Sequence, residues 1–479
     1  MYRGDQEMFQ FRIAHYEPMR CRRSVWLLAT AGMVWAVPCA AKPTAPGPLL
    51  TALGAPASLE ISGSVRSRVE AIDGQFRPAR ATSDFLWSMR TTLFAAYKRG
   101  PIRIGGEIID ARGYGEKNTS STSSTEVDAV ELAQAFVAVG MDGRFGLESK
   151  AALTGGRFTL DIGSSRLVGR TDFPNTVNSY TGLNFDWHGA GKDRLVAFWS
   201  MPQTRLPTET VAIHDNAIRW DRESTDQQFF GASYVKGRLL HDVSGELYGY
   251  RLAERDSPNL STRNRRLITV GGRLLRIPGG QFDVDVEGAY QFGKARATIA
   301  TTDRSDLSVS AYFVHAEFGR TFVIGWSPRV SLHFDRASGD RGAPGEYGRF
   351  DALFGARRAD FGPVDLYGPI GRSNLVSPGI RLEAKPSRRL DSFVMLRELW
   401  LDSANDSFSS TGVRDRSGQS GRHAGVQIEG RVRYWVVPKR LRMDTGVALL
   451  AKGRFLHQAS NAPSTGSTHY AYFDLATEF

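Results

Sequence analysis

The feature that most constrains this chain is an alternation of apolar and charged side chains that recurs along its length. One example runs from Ile61 to Glu70, where even-numbered residues are polar or charged and Ile61, Val65 and Val69 occupy odd positions. Successive side chains of a β-strand point to opposite faces, so the pattern predicts a strand with one apolar and one charged face. Similar alternation predicts strands over 282–292, 329–335 and 426–434 and, more weakly, over 85–97, 102–108 and 308–318.

Strands of a soluble β-sandwich also alternate, so two further features are needed to indicate a membrane barrel. The polar faces carry charges of both signs, as suits a water-filled lumen. The apolar faces carry aromatic residues near segment ends, such as Tyr97, Tyr290 and Tyr434, as suits the girdles at the two membrane surfaces. Backbone groups in lipid must be satisfied internally, so such strands close on themselves. The sequence therefore predicts an all-β fold, a transmembrane antiparallel β-barrel with long extracellular loops.

The length of the alternating region sets the size of the barrel. At roughly 20–26 residues per strand and connection, residues 59–479 correspond to roughly 16 to 20 strands, and we expect about 18. The last segment, Tyr470–Phe479, is amphipathic and ends in an aromatic residue. This ending resembles the assembly signal of bacterial outer-membrane proteins, which indicates the bacterial outer membrane as the location.

The N-terminus carries the pattern of an export signal. A cluster of three arginines within 20–23 precedes the 13-residue apolar stretch Val25–Val37 and a small-residue cleavage site at 39–41, with either Met1 or Met19 as the start. Cleavage there would remove both cysteines, so disulfides would not stabilise the exported chain. We predict a signal peptide over residues 1–41, a leader rich in Pro, Gly and Ala over 42–58, and the barrel over 59–479.

The net charge of +11 is carried mostly by arginine, with 51 arginines and 10 lysines. Arginine either serves to bind carboxylate or phosphate in a bidentate manner or reflects codon bias, and composition leaves both alternatives open. The basic residues form no continuous tract, so no nucleic-acid partner is expected. Several apolar runs of about 20 residues would mark a helical membrane protein, and this composition excludes that class.

Sequence signatures of catalysis are weak. Gly189–Lys192 lacks the spacing and the hydroxyl residue of a phosphate-binding loop, the nine histidines show no metal-type spacing, and G-x-S-x-G does not occur. We therefore expect no enzyme activity, no catalytic residue, no metal and no cofactor.

The candidate functional residues are arginines on the predicted inward face of a strand and arginines that lie in or next to two long connections. The connections 163–182 and 335–379 mix Arg, Asn, Tyr, Pro and Gly and could be ordered in the pore mouth or lumen. Guanidinium groups in a narrow pore attract anions and match carboxylate geometry, while nearby acidic residues keep binding weak enough for release. For any single arginine, a purely structural role in the lumen is an equal alternative. The candidate conduit residues are Arg66, Arg68, Arg90, Arg157, Arg166, Arg170, Arg357, Arg358 and Arg381.

Several motifs occur in an order that resembles the alginate-export porin family of Gram-negative outer membranes. They are Arg66-x-Arg68-x-Glu70, Met89–Leu93, Gly156–Arg170, Thr171–Gly182, Phe354–Gly362, Leu366–Asn374 and Ser377–Gly379. The resemblance covers about 59–479 and implies an 18-stranded monomeric barrel with an electropositive, arginine-lined conduit for a polyuronate. It also implies roles for arginines inside the matching stretches, namely Arg157, Arg166, Arg170, Arg357 and Arg358.

We therefore expect a porin that passes an acidic polysaccharide or oligosaccharide passively. The alternatives are a general anion-selective porin and, in other classes, a barrel enzyme acting on lipid or lipopolysaccharide and a surface adhesin. The expected partners are outer-membrane lipid and lipopolysaccharide, the anionic saccharide and possible periplasmic polymer-synthesis proteins. The identity of the saccharide and the direction of transport stay open.

Overall fold

The computed structural model describes residues 56, 58–171, 173–257, 260–279, 282–300, 302–356, 358–368 and 370–479. In these residues eighteen antiparallel strands form a closed ring, as the sequence predicts. The strands of the ring are β1 (Leu59–Asp73), β2 (Ser83–Arg99), β3 (Ile102–Tyr114), β4 (Asp128–Gly140), β5 (Lys150–Phe158), β6 (Tyr180–His188), β7 (Arg194–Pro202), β8 (Gln227–Leu240), β9 (Val243–Glu254), β10 (Arg266–Arg276), β11 (Asp283–Ala295), β12 (Leu307–Thr321), β13 (Arg329–Ala337), β15 (Leu375–Ala384), β16 (Leu390–Trp400), β17 (His423–Val437), β18 (Leu441–Lys452) and β19 (Thr468–Glu478).

The ring closes because β1 pairs with β19 on one side and with β2 on the other. The register places Arg66 opposite Arg90 of β2 and Arg68 opposite Asp474 of β19. The first and last strands therefore satisfy each other's backbone groups, as a barrel in lipid requires.

Because neighbouring strands run antiparallel, successive connections lie at alternate ends of the barrel. One end carries tight turns such as 100–101 and 241–242, and we call it the short-turn rim. The other end, the long-loop rim, carries the connections 159–179, 203–226 and 338–374. The beginning of β1 and the end of β19 both lie at the short-turn rim.

The outer and inner faces of the strands follow the predicted parity. On β1, Val69 is 37% exposed on the outside while Arg68 is 2% exposed on the inside. On β11, Tyr290 is 47% exposed and Glu287 is 2% exposed. The apolar side chains thus form the lipid-facing surface, and the charged side chains point into the lumen.

Little other regular structure is present in the described residues. The two-residue strand β14 (Glu346–Tyr347) pairs in parallel with the start of β12. The short helices are α1 (Thr210–His214), α2 (Arg358–Phe361) and α3 (Arg454–Gln458), with a single 3-10 turn at Ala190–Lys192. Among the described residues, no helix has the length and apolar character needed to cross a membrane.

The segments that the sequence predicts as strands coincide with strands of the ring. The predicted C-terminal strand corresponds to β19, whose outward side chains include Phe473 and Leu475, each 40% exposed. The expected signal peptide lies outside the described residues, and so does the expected leader apart from residues 56 and 58.

Candidate functional site

Two long connections enter the lumen and hydrogen-bond to each other there. They are the β5–β6 loop (159–179) and the β13–β15 loop (338–374). Phe354 N donates to Leu167 O over 3.1 Å, and Ala356 N donates to Ser165 O over 2.8 Å. The lumen therefore contains an ordered inner layer built from both loops.

Loop side chains also bring an apolar core into the lumen. The wall contributes inward-facing apolar residues from β16, β18 and β19, and the loops supply aromatic and aliphatic partners. The buried members include Leu366, Tyr367, Phe361, Phe408, Phe455, Leu399, Leu450, Tyr470 and Tyr472. Alternation in the strands predicts a charged, water-filled lumen, and it misses this core because the loops that form it have no periodic pattern.

The wall of β1 and β2 holds three of the candidate arginines against the tip of the β5–β6 loop. Arg66 Nη1 donates to Phe173 O over 3.1 Å, and Arg68 Nη1 donates to the same carbonyl over 2.8 Å. Arg90 Nη1 donates to Pro174 O over 3.2 Å. All three arginines are at most 4% exposed, so the loop covers them in this conformation.

Arginine side chains of β1 and β18 converge on the carboxylate of Asp474 of β19. Arg68 Nη2 lies 2.8 Å from Asp474 Oδ2, and Arg66 Nε lies 3.8 Å from it. Arg442 Nη2 of β18 approaches the other oxygen, Oδ1, at 3.8 Å. Three guanidinium groups from two strands thus share one carboxylate.

Arg166 holds the β5–β6 loop at a second point, away from the tip at Phe173 and Pro174. Its Nη1 lies 2.7 Å from Glu287 Oε2 of β11, and its Nε lies 2.8 Å from Asp360 Oδ2 of the β13–β15 loop. Burial lowers the pKa of Arg166, but Asp285 and Glu287 outweigh burial and leave the pKa above its ordinary value. Arg166 is therefore a charged tie between two loops and the wall.

Arg157 and Arg170 pair with separate carboxylates on the β3–β4 side. Arg170 Nη2 lies 2.7 Å from Glu107 Oε1. Arg157 Nη1 lies 2.6 Å from Glu131 Oε1, and its Nη2 lies 3.1 Å from Glu223 Oε2. The Arg157 side chain is 15% exposed, which makes it the most accessible of the candidate arginines whose side chains are described.

The β3–β4 loop (115–127) adds a buried carboxyl group to the inner layer, next to a carboxyl group of the β13–β15 loop. Glu126 is 2% exposed and accepts a hydrogen bond from Ser123 N over 2.6 Å, and Asp365 of the β13–β15 loop lies close enough to act on its charge. Burial raises the pKa of Glu126 to about 8, and the negative charge of Asp365 adds to the rise. Arg68 Nη1 lies 3.0 Å from Asp365 Oδ2, so this pair adjoins the β1 wall.

The comparison that decides the family is a match over nearly the whole barrel. The family model of alginate export matches residues 57–469. The chain belongs to the alginate export family. Members of this family and barrels of this fold are transport porins, so the alginate-export barrel is an outer-membrane porin. The comparison with curated protein sequences gives no match.

Solved structures similar to this alginate-export barrel come from Pseudomonas aeruginosa. OccK2 (OpdF) in complex with glucuronate has a TM-score of 0.55 and 11% identity, covering 88% of this chain and 96% of that chain. OccD3 (OpdP) has a TM-score of 0.54 and 12% identity, and the match covers 88% of this chain and 91% of that chain. OpdK with vanillate has a TM-score of 0.52 and 12% identity, and the match covers 88% of this chain and 98% of that chain. At this identity the likeness shows the fold, a porin barrel.

The remaining candidate arginines of the alginate-export barrel lie apart from the β1–β2 wall. Arg381 of β15 lies 2.7 Å from Glu383 Oε1, and its guanidinium carbon lies 3.8 Å from the centre of the Phe393 ring. Arg358 begins helix α2 on the β13–β15 loop, but its side chain is not described, and Arg357 lies outside the described residues. The structure therefore groups Arg66, Arg68 and Arg90 and separates the others.

Sequence reasoning missed several arginines that are buried on the inner face. Arg273 pairs with Asp285 at 2.6 Å, and Arg329 pairs with Glu383 at 3.3 Å. The missed group comprises Arg273, Arg329, Arg397 and Arg442. The alternation of the strand could have identified Arg329, whereas the neighbours of Arg397 on its own face are apolar and hide it.

Proposed function

We propose that this porin passes an acidic polysaccharide or oligosaccharide, of the polyuronate type, passively through a lumen whose selectivity arginine sets. The observation that carries the proposal is the convergence of Arg66, Arg68 and Arg442 on the single carboxylate Asp474. Family membership supports it, because the matching family model is that of alginate export.

The physical basis is the field of grouped guanidinium charges in a wall of low polarity. Arg66 and Arg90 donate to backbone carbonyls of the β5–β6 loop, and these contacts orient the guanidinium groups. Positive charge that faces a narrow, poorly hydrated space raises the local concentration of anions even where the charged group is covered. We therefore assign Arg66, Arg68 and Arg90 to selectivity by field rather than to continuous contact with substrate.

Direct contact with substrate is assigned to Arg157, the most accessible of the described candidates. Its guanidinium group has the planar geometry that matches a carboxylate, and its partner Glu223 is itself 41% exposed in the side chain. An entering uronate could exchange with Glu223, which would keep binding weak enough for release. Arg166, Arg170 and Arg381 are assigned to holding the loops and wall, and Arg357 and Arg358 stay candidates for the conduit.

Glucuronate in complex with the structurally similar OccK2 supports a uronic acid as the chemical unit. The same barrel fold with vanillate in OpdK supports carboxylate recognition more generally. A general anion-selective porin is accordingly the second candidate function, since both ligands are small carboxylates.

The test is single-channel recording of the refolded protein in a planar bilayer under a KCl gradient, with an oligouronate added to one side. The proposal predicts anion-selective current that oligouronate blocks at concentrations where a neutral oligosaccharide of equal length does not. Anion-selective current that oligouronate does not affect would instead support the general anion porin. Cation-selective current would contradict both.

A further inference from the structure

A distortion of β4 brings two carboxylates to the same side of the barrel wall. Ile109 of β3 pairs with Glu131, but Ala111 pairs with Asp128, so β4 has one residue more than β3 between these two pairs. Ile109 and Ala111 are both fully buried on the inner face, and the two acidic residues opposite them are 3% and 2% exposed. The extra residue is a β-bulge, a feature that re-aims side chains next to functional sites.

A third carboxylate reaches this point from the β7–β8 loop (203–226). Asp221 N donates to Glu131 Oε2 over 2.7 Å, and Leu206 N donates to Asp221 Oδ1 over 2.8 Å. One oxygen each from Asp128, Glu131 and Asp221 lies within 4.8 Å of the other two. Oxygen ligands of Ca²⁺ lie about 2.3–2.6 Å from the ion, so oxygens with this separation can share one ion.

Asp128 provides an independent sign that this group binds a ligand. It is 2% exposed, and its Oδ1 has no hydrogen-bond partner among the described residues. A buried carboxylate oxygen without a partner is costly, and such an atom calls for a specific explanation. Each of the other two clusters of this kind contains a carboxylate that two arginines share: Asp285 pairs with Arg166 and Arg273, and Asp360 pairs with Arg166 and Arg372.

The charges around the three carboxylates also favour a cation. Arg157 contacts Glu131 at 2.6 Å and Glu223 at 3.1 Å, so one guanidinium group serves two of the four nearby carboxylates. Arg205 acts on this group only at longer range, and its Nη1 donates to Thr176 Oγ1 over 3.1 Å. A divalent cation would balance the negative charge of the carboxylates that these arginines do not neutralise.

We propose that Asp128, Glu131 and Asp221 bind a hard divalent cation such as Ca²⁺, which ties the β7–β8 loop to β4. Three carboxylate oxygens supply part of the coordination shell, and backbone carbonyls or water complete it, as is usual for Ca²⁺. Because Glu131 also holds Arg157, the ion would fix the position of the arginine that the proposed function assigns to substrate contact. The site itself does not depend on that function.

The test is isothermal titration calorimetry of CaCl₂ into the full refolded protein in detergent free of lipopolysaccharide. We expect one site, with a dissociation constant in the range of roughly 10⁻⁴–10⁻³ M that extracellular calcium sites show. Asp128→Asn and Asp221→Asn should each weaken binding at least tenfold, while Asp142→Asn, at an exposed position in a short turn, should not. No binding by the wild-type protein, or binding by both site variants as tight as that of the wild-type protein, would overturn the proposal.

A second measurement keeps the proposal testable if Asp128→Asn fails to fold, which heat-modifiable gel mobility would reveal. Limited trypsin digestion at Arg219 and Arg222 of the β7–β8 loop should be slower in Ca²⁺ than in a calcium chelator for the wild-type protein. The difference should disappear in Asp221→Asn, whose substitution lies on the loop. Equal digestion of the wild-type protein with and without Ca²⁺ would contradict the tie.

Discussion

Arg166 Nη1 donates to Glu287 Oε2 over 2.7 Å and thereby joins the β5–β6 loop to β11. The tip of the same loop, at Phe173, accepts from Arg66 and Arg68 of β1. Strands β1 and β11 stand nearly opposite each other in the ring. The β5–β6 loop therefore spans the lumen from wall to wall, and its anchors determine how far the lumen is obstructed.

Replacing Arg166 by alanine should release one end of this loop. The change leaves Glu287 and Asp360 buried with fewer partners, and loss of one member of a buried ion pair costs about 3–5 kcal/mol. We expect larger fluctuations of the single-channel current and a higher mean conductance in planar bilayers. Arg255→Ala is the control, because Arg255 is 80% exposed in its ion pair with Asp226 and such pairs contribute only about 0–1 kcal/mol. Unchanged fluctuations in Arg166→Ala would show that the loop does not depend on this tie.

Replacing Gly355 by alanine should separate the two loops of the inner layer. A Cβ at this position would lie 2.9 Å from Leu167 N and still closer to the Arg166 carbonyl, and backbone atoms cannot move aside cheaply. Overpacking of this kind costs about 1–3 kcal/mol. Gly325→Ala is the matched control, since a Cβ there meets no atom within 4 Å. Proteolysis of the β13–β15 loop should be faster in Gly355→Ala only, and equal rates in both variants would count against the close loop–loop contact.

The docking of the β3–β4 loop should weaken as pH rises. Burial and Asp365 raise the pKa of Glu126 from 4.5 to about 8. An undocked loop releases this proton near pH 4.5 and the docked loop keeps it until about pH 8, so docking is strongest below pH 4.5 and weakens up to about pH 8. Channel fluctuations should increase over that window in the wild-type protein.

Glu126→Gln should remove this pH dependence, because glutamine cannot titrate and preserves most of the shape. Glu148→Gln, exposed in a turn at the short-turn rim, should behave like the wild-type protein. Recordings at a series of pH values between 4.5 and 8 give the comparison. A pH response in Glu126→Gln equal to that of the wild-type protein would assign the response to another group.

Changes on either side of the Asp474 contacts should shift ion selectivity in opposite directions. Asp474→Asn removes the negative charge that three arginines share, so the ratio of anion to cation permeability should rise. Arg66→Gln removes one of the positive charges and should lower the ratio. Reversal potentials under a KCl gradient measure both, and shifts of the same sign in the two variants would contradict a selectivity set by this wall.

Most of the barrel wall could be predicted from the sequence, because apolar and charged residues such as Val69 and Arg68 alternate with the period of two that a strand has. The inner layer could not, since the contact between Leu167 and Phe354 joins distant loops that have no periodic pattern. The same limit applies to the candidate site. Parity and motif order predicted Arg66, Arg68 and Arg90, but not that Phe173 and Pro174 cover them.

The bulge in β4 is a second feature that could not be predicted from the alternation of apolar and charged residues. Asp128 and Glu131 differ in parity, so a regular strand would place them on opposite faces. The structure places both in the lumen because an extra residue interrupts the register. Sequence patterns that assume a regular period therefore fail at the distortion that assembles the proposed cation site.

Transport itself tests the central claim most directly. Lipid vesicles that contain the refolded protein can be loaded with equal amounts of an oligouronate and a neutral oligosaccharide of the same length, and the release of each can be followed with time. An arginine-selective conduit predicts faster release of the oligouronate, with the advantage reduced in Arg66→Gln and Arg157→Gln. Equal release of the two sugars, or faster release of the neutral one, would contradict the account.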